Sequence, residues 1–482
     1  MLLRVQDLSW NFESHKFDHT WEKPLSQLLG YGKACGADFV ECFLENRSTV
    51  SFRAENKKLT SLEPSIRYGA GIRVFKNKHD AYVTTNDLSL NGLLKALKKA
   101  IQILNLHEVQ GSRLLQEVLF EPFRDYGEIH KKNDFKIPEL QTVADLLLET
   151  NHKEHSVVPY LQSSSVGSFV DLQEVIVASS DGTFARDIRF NQRFGVSGLC
   201  VDGQDRVEVG KSEGSTSDPD FFKNISVDKM LEEIKNSAQT MIKADFIKAG
   251  QYPVVLADAF GGVIFHEACG HLLETTAVQR KATPFLDSKH EMIAHPCVSA
   301  YDEGTSKGAF GTISMDDEGM PAQNTLLIEN GVLRNFLSDR TGEWLTGNPR
   351  TGSGRRQDYN FASASRMRNT YIAPSKEHSK EDLISSVDDG IYCKYLGGGS
   401  VNSTGEFNFG VTEAYRIKGG KIAEPLKGAI LLGDAATILK RISMVGNDLT
   451  LSSGFCGSVS GTIYVTVGQP HIKVDLMTVG GR

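Results

Sequence analysis

Residues 253–278 read PVVLADAFGGVIFHEACGHLLETTAV, and this stretch decides the fold of the second half of the chain. The valine-rich run at its start, residues 253–257, is typical of a buried strand. Asp258 then supplies a side chain that caps helices, and the apolar residues beyond it predict a helix from Ala259 to about Val278. The chain therefore passes directly from a buried strand into a buried helix.

Two histidines in this helix flank a glutamate with the spacing H-E-x-x-x-H, at residues 266–271. In the zinc-peptidase pattern H-E-x-x-H the imidazoles are four residues apart, on one helical face. Five residues rotate an ideal helix through about 500°, which leaves the side chains of His266 and His271 about 140° apart. We therefore predict a bulged or broken helix near Gly270, because glycine tolerates a distorted backbone.

His266 and His271 are candidate zinc ligands, and Glu267 is the candidate general base. A catalytic zinc site has three protein ligands and an open position for water, whose pKa falls to about 7. An adjacent carboxylate removes the proton of that water during attack on a carbonyl. The alternative is a pair of packed core histidines beside a solvated glutamate. The third ligand stays open at this point, between His290, Glu291, His295 and Cys456.

Hairpins dominate the rest of the second half. Asn330-Gly331 and Gly419-Gly420 lie between alternating apolar segments and predict tight turns. A further sharp turn is predicted at Gly397-Gly398-Gly399. This half is therefore predicted to be mostly β, around one buried helix.

The first half begins as mixed α/β and becomes β-rich. Apolar residues spaced by three and four from Leu90 to Leu104 predict an amphipathic helix. Strands with hairpin signals are predicted from Val157 to Val209, then a loop over 210–219 and a short helix over Val227–Ile242. The predicted fold class is α+β, with a mixed α/β and β-rich amino-terminal half and a mostly-β carboxyl-terminal domain that contains a buried metal-binding helix.

The length of 482 residues exceeds the roughly 250–300 residues at which a single core stops growing. We predict an N-terminal domain at 1–245, α/β to about 155 and β-rich after it, and a C-terminal domain at 246–482. The net charge of −7 argues against nucleic-acid and anionic-membrane partners. Seven scattered cysteines and the lack of a signal-peptide pattern favour the cytoplasm.

The segment Gly262–His271 closely resembles the metal helix of the TldD/PmbA (TldD/TldE) peptidases. The likeness continues in order through most of the second half, and more faintly through Tyr68–Phe75 and Thr85–Leu90. The matching segments of the second half are Asp316–Gly319, Ile328–Leu333, Thr351–Arg356, Met367–Tyr371, Phe409–Val411, Val467–Pro470 and Thr478–Gly481.

The resemblance implies one Zn²⁺ per chain, held by His266, His271 and Cys456, with Glu267 as the catalytic residue. Because the PmbA/TldE branch lacks the metal motif, it also implies a TldD-type catalytic subunit. Members of the family cleave unfolded peptides in an enclosed cavity, and they form homodimers or heterodimers with a metal-free TldE/PmbA-like relative. The predicted function is peptide hydrolysis by metal-activated water, and the alternative is a non-catalytic peptide-binding or assembly subunit.

The chain contains three other patterns that are typical of functional sites. The serine-hydrolase spacing G-x-S-x-G at 210–214 lacks the helix that must follow the nucleophile. The adjacent guanidinium groups of Arg355 and Arg356 are candidates for binding a peptide carboxylate, and a solvated turn is the alternative. The acidic run 316–318 lacks the spacing of a calcium loop and is predicted to be a solvated turn.

Overall fold

The computed structural model describes residues 17–109, 117–127, 138–402 and 404–481. Residues 1–16 of the predicted N-terminal domain lie outside this description. The helices are α1 Glu22–Ala34, α2 Leu90–Ile103, α3 Leu140–Val157, α4 Phe221–Asn224, α5 Val227–Ile242, α6 Val263–Ala268, α7 Thr275–Gln279, α8 Arg340–Thr346, α9 Lys380–Ser385 and α10 Ala435–Arg441. None of the helices in the described ranges is both long and apolar enough to span a membrane.

The first half is built on one seven-stranded sheet with strand order β3-β2-β1-β5-β6-β4, in which β7 also pairs with β6. Its strands are β1 Phe39–Glu55, β2 Lys58–Lys76, β3 His79–Thr85, β4 Arg124–Asp125, β5 Leu161–Ser179, β6 Phe184–Asp202 and β7 Asp205–Thr216. The early part of β1 packs with α1 and α2, and its late part packs with α3 and α5. A single sheet thus supports both helical layers and is continuous across residue 155.

The second half contains a six-stranded sheet, an eight-stranded sheet and a small two-stranded sheet. The strands are β8 Asp245–Phe246, β9 Gly250–Leu256, β10 Ala300–Glu303, β11 Asn324–Glu329, β12 Val332–Leu333, β13 Gly354–Arg355, β14 Ala364–Ser365, β15 Asn369–Ile372, β16 Asp389–Val401, β17 Glu406–Lys418, β18 Lys421–Lys427, β19 Ala429–Asp434, β20 Ile442–Val445, β21 Thr450–Ser458, β22 Gly461–Gln469 and β23 Ile472–Gly480.

The eight-stranded sheet surrounds part of the buried helix. Its order is β16-β9-β23-β19-β17-β18-β8, with β20 also paired to β23, and a second pairing of β16 with β17 closes five of the strands into a ring. The six-stranded sheet has the order β12-β11-β10-β15-β22-β21. Helix α6 contributes Val263, Ile264 and Phe265 to the apolar core of this half. The α+β class predicted from the sequence is confirmed.

Buried ion pairs join the first sheet to the second half. Arg189 of β6 donates to Asp317 at 2.6 Å, and Arg356 donates to Glu41 of β1 at 2.7 Å. Asp316 accepts backbone hydrogen bonds from Glu318, Met320 and Gly354. The prediction of a solvated turn at 316–318 is therefore wrong, because these acidic side chains are buried.

Most predicted elements are found, with two corrections. The hairpins at Asn330-Gly331 and Gly419-Gly420 and the helix Val227–Ile242 are confirmed. The loop predicted over 210–219 is wrong for residues 210–216, which pair with β6 as part of β7. The turn predicted at Gly397–Gly399 is also wrong, since these glycines lie inside β16. The glycines in the two segments favour turns, but pairing with neighbouring strands places the segments in β7 and β16.

Candidate metal centre

The helix predicted over 259–278 is divided into short segments. A 3₁₀ turn at Ala259–Gly262 leads into α6, which ends at Ala268, and a second 3₁₀ turn at Gly270–Leu273 leads into α7. The break falls on Cys269, whose φ of −127° and ψ of −50° leave the helical region. The predicted interruption between the two histidines is confirmed, and a change from α to 3₁₀ geometry accounts for it.

Gly270 is required by close packing. A Cβ at this position would lie 2.0 Å from the Sδ atom of Met367, which is fully buried. The backbone of Gly270 is not in the left-handed region, so the role predicted for its flexibility falls to Cys269 instead. The missing side chain lets the turn that carries His271 approach the chain at Met367.

The break brings the two imidazoles together with the thiol of Cys456. The Nε2 atoms of His266 and His271 each lie 3.2 Å from Cys456 Sγ, and the ring centroids are 5.1 Å apart. One nitrogen from each histidine and the cysteine sulfur lie within 4.8 Å of one another. Cys456 comes from β21, an edge strand 185 residues beyond His271. Sequence-distant elements therefore meet at one point.

Arg366 anchors the strand that carries the thiol. Its guanidinium is fully buried and donates to the backbone oxygens of Cys456 at 2.6 Å and Gly461 at 2.9 Å. It also donates to Ser460 Oγ at 2.9 Å. These contacts fix the β21–β22 turn next to Cys456.

Glu267 lies beside the converging atoms. Its Oε2 is 3.8 Å from His271 Nε2, and its side chain is 21% exposed. His266 and Glu267 both line a groove of about 1940 Å³. Strands β5, β6, β7 and β16 contribute to the walls of this groove, so the carboxylate faces a space that a large ligand can enter.

Glu274 contacts His271 on the side of the ring opposite Cys456. Its Oε2 is 3.2 Å from His271 Nδ1, and its side chain is 3% exposed. Arg366 Nε lies 4.0 Å from the other carboxylate oxygen. A carboxylate on the far nitrogen of a ligating histidine fixes the ring orientation and raises its basicity. By contrast, the buried Nδ1 of His266 has no hydrogen-bond partner among the described residues.

The charges of the cluster favour a thiolate. Burial opposes ionisation of Cys456, yet His266 and His271 hold the pKa of its thiol well below the usual range. Burial likewise opposes charge on His271, but Glu274 and then Cys456 raise the pKa of its imidazole well above the usual value. Thiolates are the form in which cysteine binds metals.

The three side chains fit a zinc ion by chemistry and spacing. Zinc binds sulfur at about 2.3 Å and imidazole nitrogen at about 2.0–2.1 Å, which separates tetrahedral S and N donors by about 3.6 Å. The observed separations of 3.2 Å are close to that value. Imidazole and thiolate are both zinc ligands, and three protein ligands leave the fourth tetrahedral position open, as in catalytic zinc sites.

Most of the chain is similar to proteins of one known family. Models of the PmbA/TldA metallopeptidase domain 1, central domain and C-terminal domain match residues 40–104, 133–242 and 249–481. A protein of Buchnera aphidicola named a metalloprotease TldD homolog is 32% identical over 458 residues, which cover 92% of this chain and 93% of the relative. The chain belongs to the TldD/PmbA family. This relative and others similar to most of the chain are named metalloproteases.

A second relative and a solved structure are also similar to most of this chain. A Saccharolobus solfataricus protein named a zinc metalloprotease TldD homolog is 28% identical over 459 residues, which cover 92% of this chain and 97% of the relative. The crystal structure of TldE from Thermococcus kodakarensis has a TM-score of 0.74 at 17% identity. The match covers 95% of this chain and 100% of that one, and it shows that the fold is shared.

The two arginines predicted to bind substrate lie in the protein interior. Arg355 donates to the backbone oxygens of Met367 and Tyr464, at 3.1 and 2.8 Å. Arg356 pairs with Glu41 and donates to the backbone oxygen of Asp317 at 2.8 Å. Both are buried, so neither a groove-facing role nor a solvated turn describes their surroundings.

The other candidate ligands lie elsewhere. His290 and Glu291 are exposed, and His295 Nδ1 lies 3.0 Å from Cys297 Sγ. Cys269, inside the motif, is buried in the apolar core, as predicted. Of the open alternatives for the third ligand, Cys456 is the one that meets the two histidines.

Sequence reasoning missed Glu274 and Arg366. Glu274 follows His271 by three residues, and a carboxylate at this spacing was the available signal, because one helical turn separates the two. Arg366 has no such signal, since its contacts are with a turn more than 90 residues away.

Proposed function

We propose that this protein is a TldD-type zinc peptidase that hydrolyses unfolded peptides. His266, His271 and Cys456 are the proposed ligands of one Zn²⁺ per chain, and Glu267 is the proposed general base. The observation that carries the proposal is the convergence of two imidazoles and a thiol beside a carboxylate in the wall of a large groove.

Zinc bound by these residues supplies a Lewis acid that acidifies a water molecule and polarises the scissile carbonyl. Glu267 accepts the water proton at a carboxylate oxygen and delivers it to the departing amine. Glu274 holds the His271 ring so that its Nε2 faces the cluster. Arg366 donates to the backbone oxygen of Cys456 and thereby keeps the sulfur close to both imidazole nitrogens.

The form of the groove supports an unfolded peptide as substrate. A space of about 1940 Å³ with strands in its walls admits an extended chain but excludes a folded domain. The scissile bond must approach His266, which is 2% exposed, and Glu267, both of which lie in the wall of that space. A segment that has no secondary structure of its own can follow this path without first unfolding.

The test separates metal binding from catalysis. In Glu267→Gln, zinc should stay near one per chain by elemental analysis, because the ligands are intact. Hydrolysis of a reduced and alkylated protein should fall by roughly 10²–10⁴-fold, the usual contribution of a general base. Glu291→Gln, which alters an exposed glutamate, should leave both values unchanged. Undiminished hydrolysis by the Glu267 variant would refute the mechanism, and a zinc-loaded wild type that binds peptides without cleaving them would favour a binding or assembly subunit.

We propose a homodimer, or a heterodimer with a metal-free TldE/PmbA-like relative, on the basis of the family resemblance. Light scattering of the purified chain, alone and mixed with that relative, tests this. We also propose a cytoplasmic location, since all seven cysteines are free thiols. A fusion to a fluorescent protein found outside the cytoplasm would contradict it.

A further inference from the structure

Arg193 places a guanidinium in the wall of the groove that His266 and Glu267 also line. It is carried by β6, and it lies on aromatic rings: its Cζ is 4.8 Å from the ring centroid of Phe455 and 5.8 Å from that of Phe310. Phe455 is 50% exposed and immediately precedes Cys456. The guanidinium is therefore adjacent to the strand segment that carries the proposed sulfur ligand.

The hydrogen bonds of Arg193 go to neutral acceptors. It donates to Ser212 Oγ at 2.7 Å and to Ser453 Oγ at 3.3 Å. A guanidinium has five N–H donors, so these two bonds leave others for a ligand. Within the described ranges of the chain, no carboxylate lies in ion-pair distance of it. Burial lowers the pKa of Arg193, and no acidic neighbour offsets this effect.

Other arginines in the interior have acidic partners close by. Arg189 Nη1 lies 2.6 Å from Asp317 Oδ1, and Arg368 Nε lies 2.6 Å from Asp302 Oδ1. Arg355 is an exception: it is buried and donates to backbone oxygens. A half-buried cation without a counter-ion is costly unless something else supplies the charge. Arg193 lacks a counter-ion among the described residues and also lines the groove. This combination points to a ligand that supplies the negative charge.

We propose that Arg193 forms a carboxylate-binding subsite for the peptide substrate. The carboxylate is either the α-carboxylate at the peptide's carboxyl terminus or the side chain of an aspartate or glutamate. A guanidinium binds a carboxylate through paired N–H donors, and Phe169 and Phe455 offer an apolar floor beside it. This inference deepens the proposed peptidase function, because the subsite selects which peptides reach Glu267.

Equilibrium binding tests the subsite without turnover. The zinc-loaded Glu267→Gln protein is titrated, by fluorescence anisotropy, against a short flexible peptide labelled at its amino terminus. The peptide is made with aspartate or asparagine at one position, and with a free or an amidated carboxyl terminus. At least one carboxylate form should bind roughly tenfold to hundredfold more tightly than its amide, the range expected for charge-assisted hydrogen bonds.

The same titrations with variants assign the preference to Arg193. Adding Arg193→Gln should abolish it, Arg193→Lys should retain part of it, and Arg334→Gln, a cation outside the groove, should leave it intact. A preference that follows aspartate identifies a side-chain subsite, and one that follows the free terminus identifies an α-carboxylate subsite. Equal binding of all the peptides, or a preference that persists in Arg193→Gln, would overturn the inference. Because binding is read in a variant impaired in hydrolysis, this outcome is distinct from a failure of wild-type cleavage.

Discussion

Replacing Glu274 with glutamine isolates the contribution of the carboxylate behind His271. The substitution keeps the size of the side chain and removes its charge. Glu274 Oε2 lies 3.2 Å from His271 Nδ1, and the two side chains are 3% and 16% exposed. The hydrogen bond is therefore shielded from water, and its loss cannot be replaced fully by solvent.

The expected magnitude follows from the type of bond. A hydrogen bond to a charged group contributes about 1.5–3 kcal/mol and a neutral one about 0.5–1.5 kcal/mol, so the change costs about 1–1.5 kcal/mol. At about 1.4 kcal/mol per tenfold, zinc affinity should fall about tenfold. Partners of ligating histidines typically contribute about 10–100-fold, which agrees with this value. Arg366 also loses its acidic neighbour at 4.0 Å, which adds to the effect.

The assay is competition for zinc between the protein and a chromogenic chelator at fixed pH. Glu291→Gln serves as the control, because it removes the same charge from an exposed position. The control should bind zinc as the wild type does. An unchanged zinc affinity in Glu274→Gln, with a normal fold by circular dichroism, would refute the idea that this carboxylate supports the metal centre.

Three further predictions concern stability. Burial raises the pKa of Glu154 to about 8, so the free energy of unfolding should fall as pH rises from about 4.5 to about 8, where the unfolded chain ionises first. Glu154→Gln should reduce this slope in urea titrations and add on the order of 3 kcal/mol at the upper end, and an unchanged slope would contradict the prediction. Gly270→Ala should cost about 1–3 kcal/mol and reduce bound zinc, because its methyl group meets Met367; a normal melting temperature and zinc content would count against this. Arg356→Gln should destabilise the protein by about 3–5 kcal/mol because it leaves Glu41 buried and unpaired, whereas normal stability with weaker peptide binding would restore the substrate role first predicted for Arg356.

The sequence was most informative where chemistry depends on local spacing. The H-E-x-x-x-H interval required a break between His266 and His271, since an unbroken helix would have separated the rings. Strand and hairpin patterns gave the β-rich second half for the same reason, because alternation and turn residues are local signals. Cys456 needed the family resemblance, since nothing near it in the sequence indicates its distance from either histidine.

Local sequence patterns could not predict burial that depends on contacts between elements distant in the sequence. Arg355 and Arg356 occupy a glycine-rich segment that resembles an exposed turn, yet buried acidic residues from distant elements surround it. Arg193 appears in a strand as an ordinary polar residue, and only the fold turns it into the groove. The glycines at 397–399 lie in β16 because β17 pairs with Leu396 and Gly399 on either side of a register shift.

The proposed mechanism requires two imidazoles and one thiolate to hold a single ion. X-ray absorption at the zinc edge of the purified protein, combined with elemental analysis, shows which atoms surround that ion. We expect about one zinc per chain with one sulfur at about 2.3 Å and nitrogen at about 2.0–2.1 Å, and loss of the sulfur signal in Cys456→Ser. A zinc environment without sulfur in the wild type, or one that Cys456→Ser leaves unchanged, would contradict it.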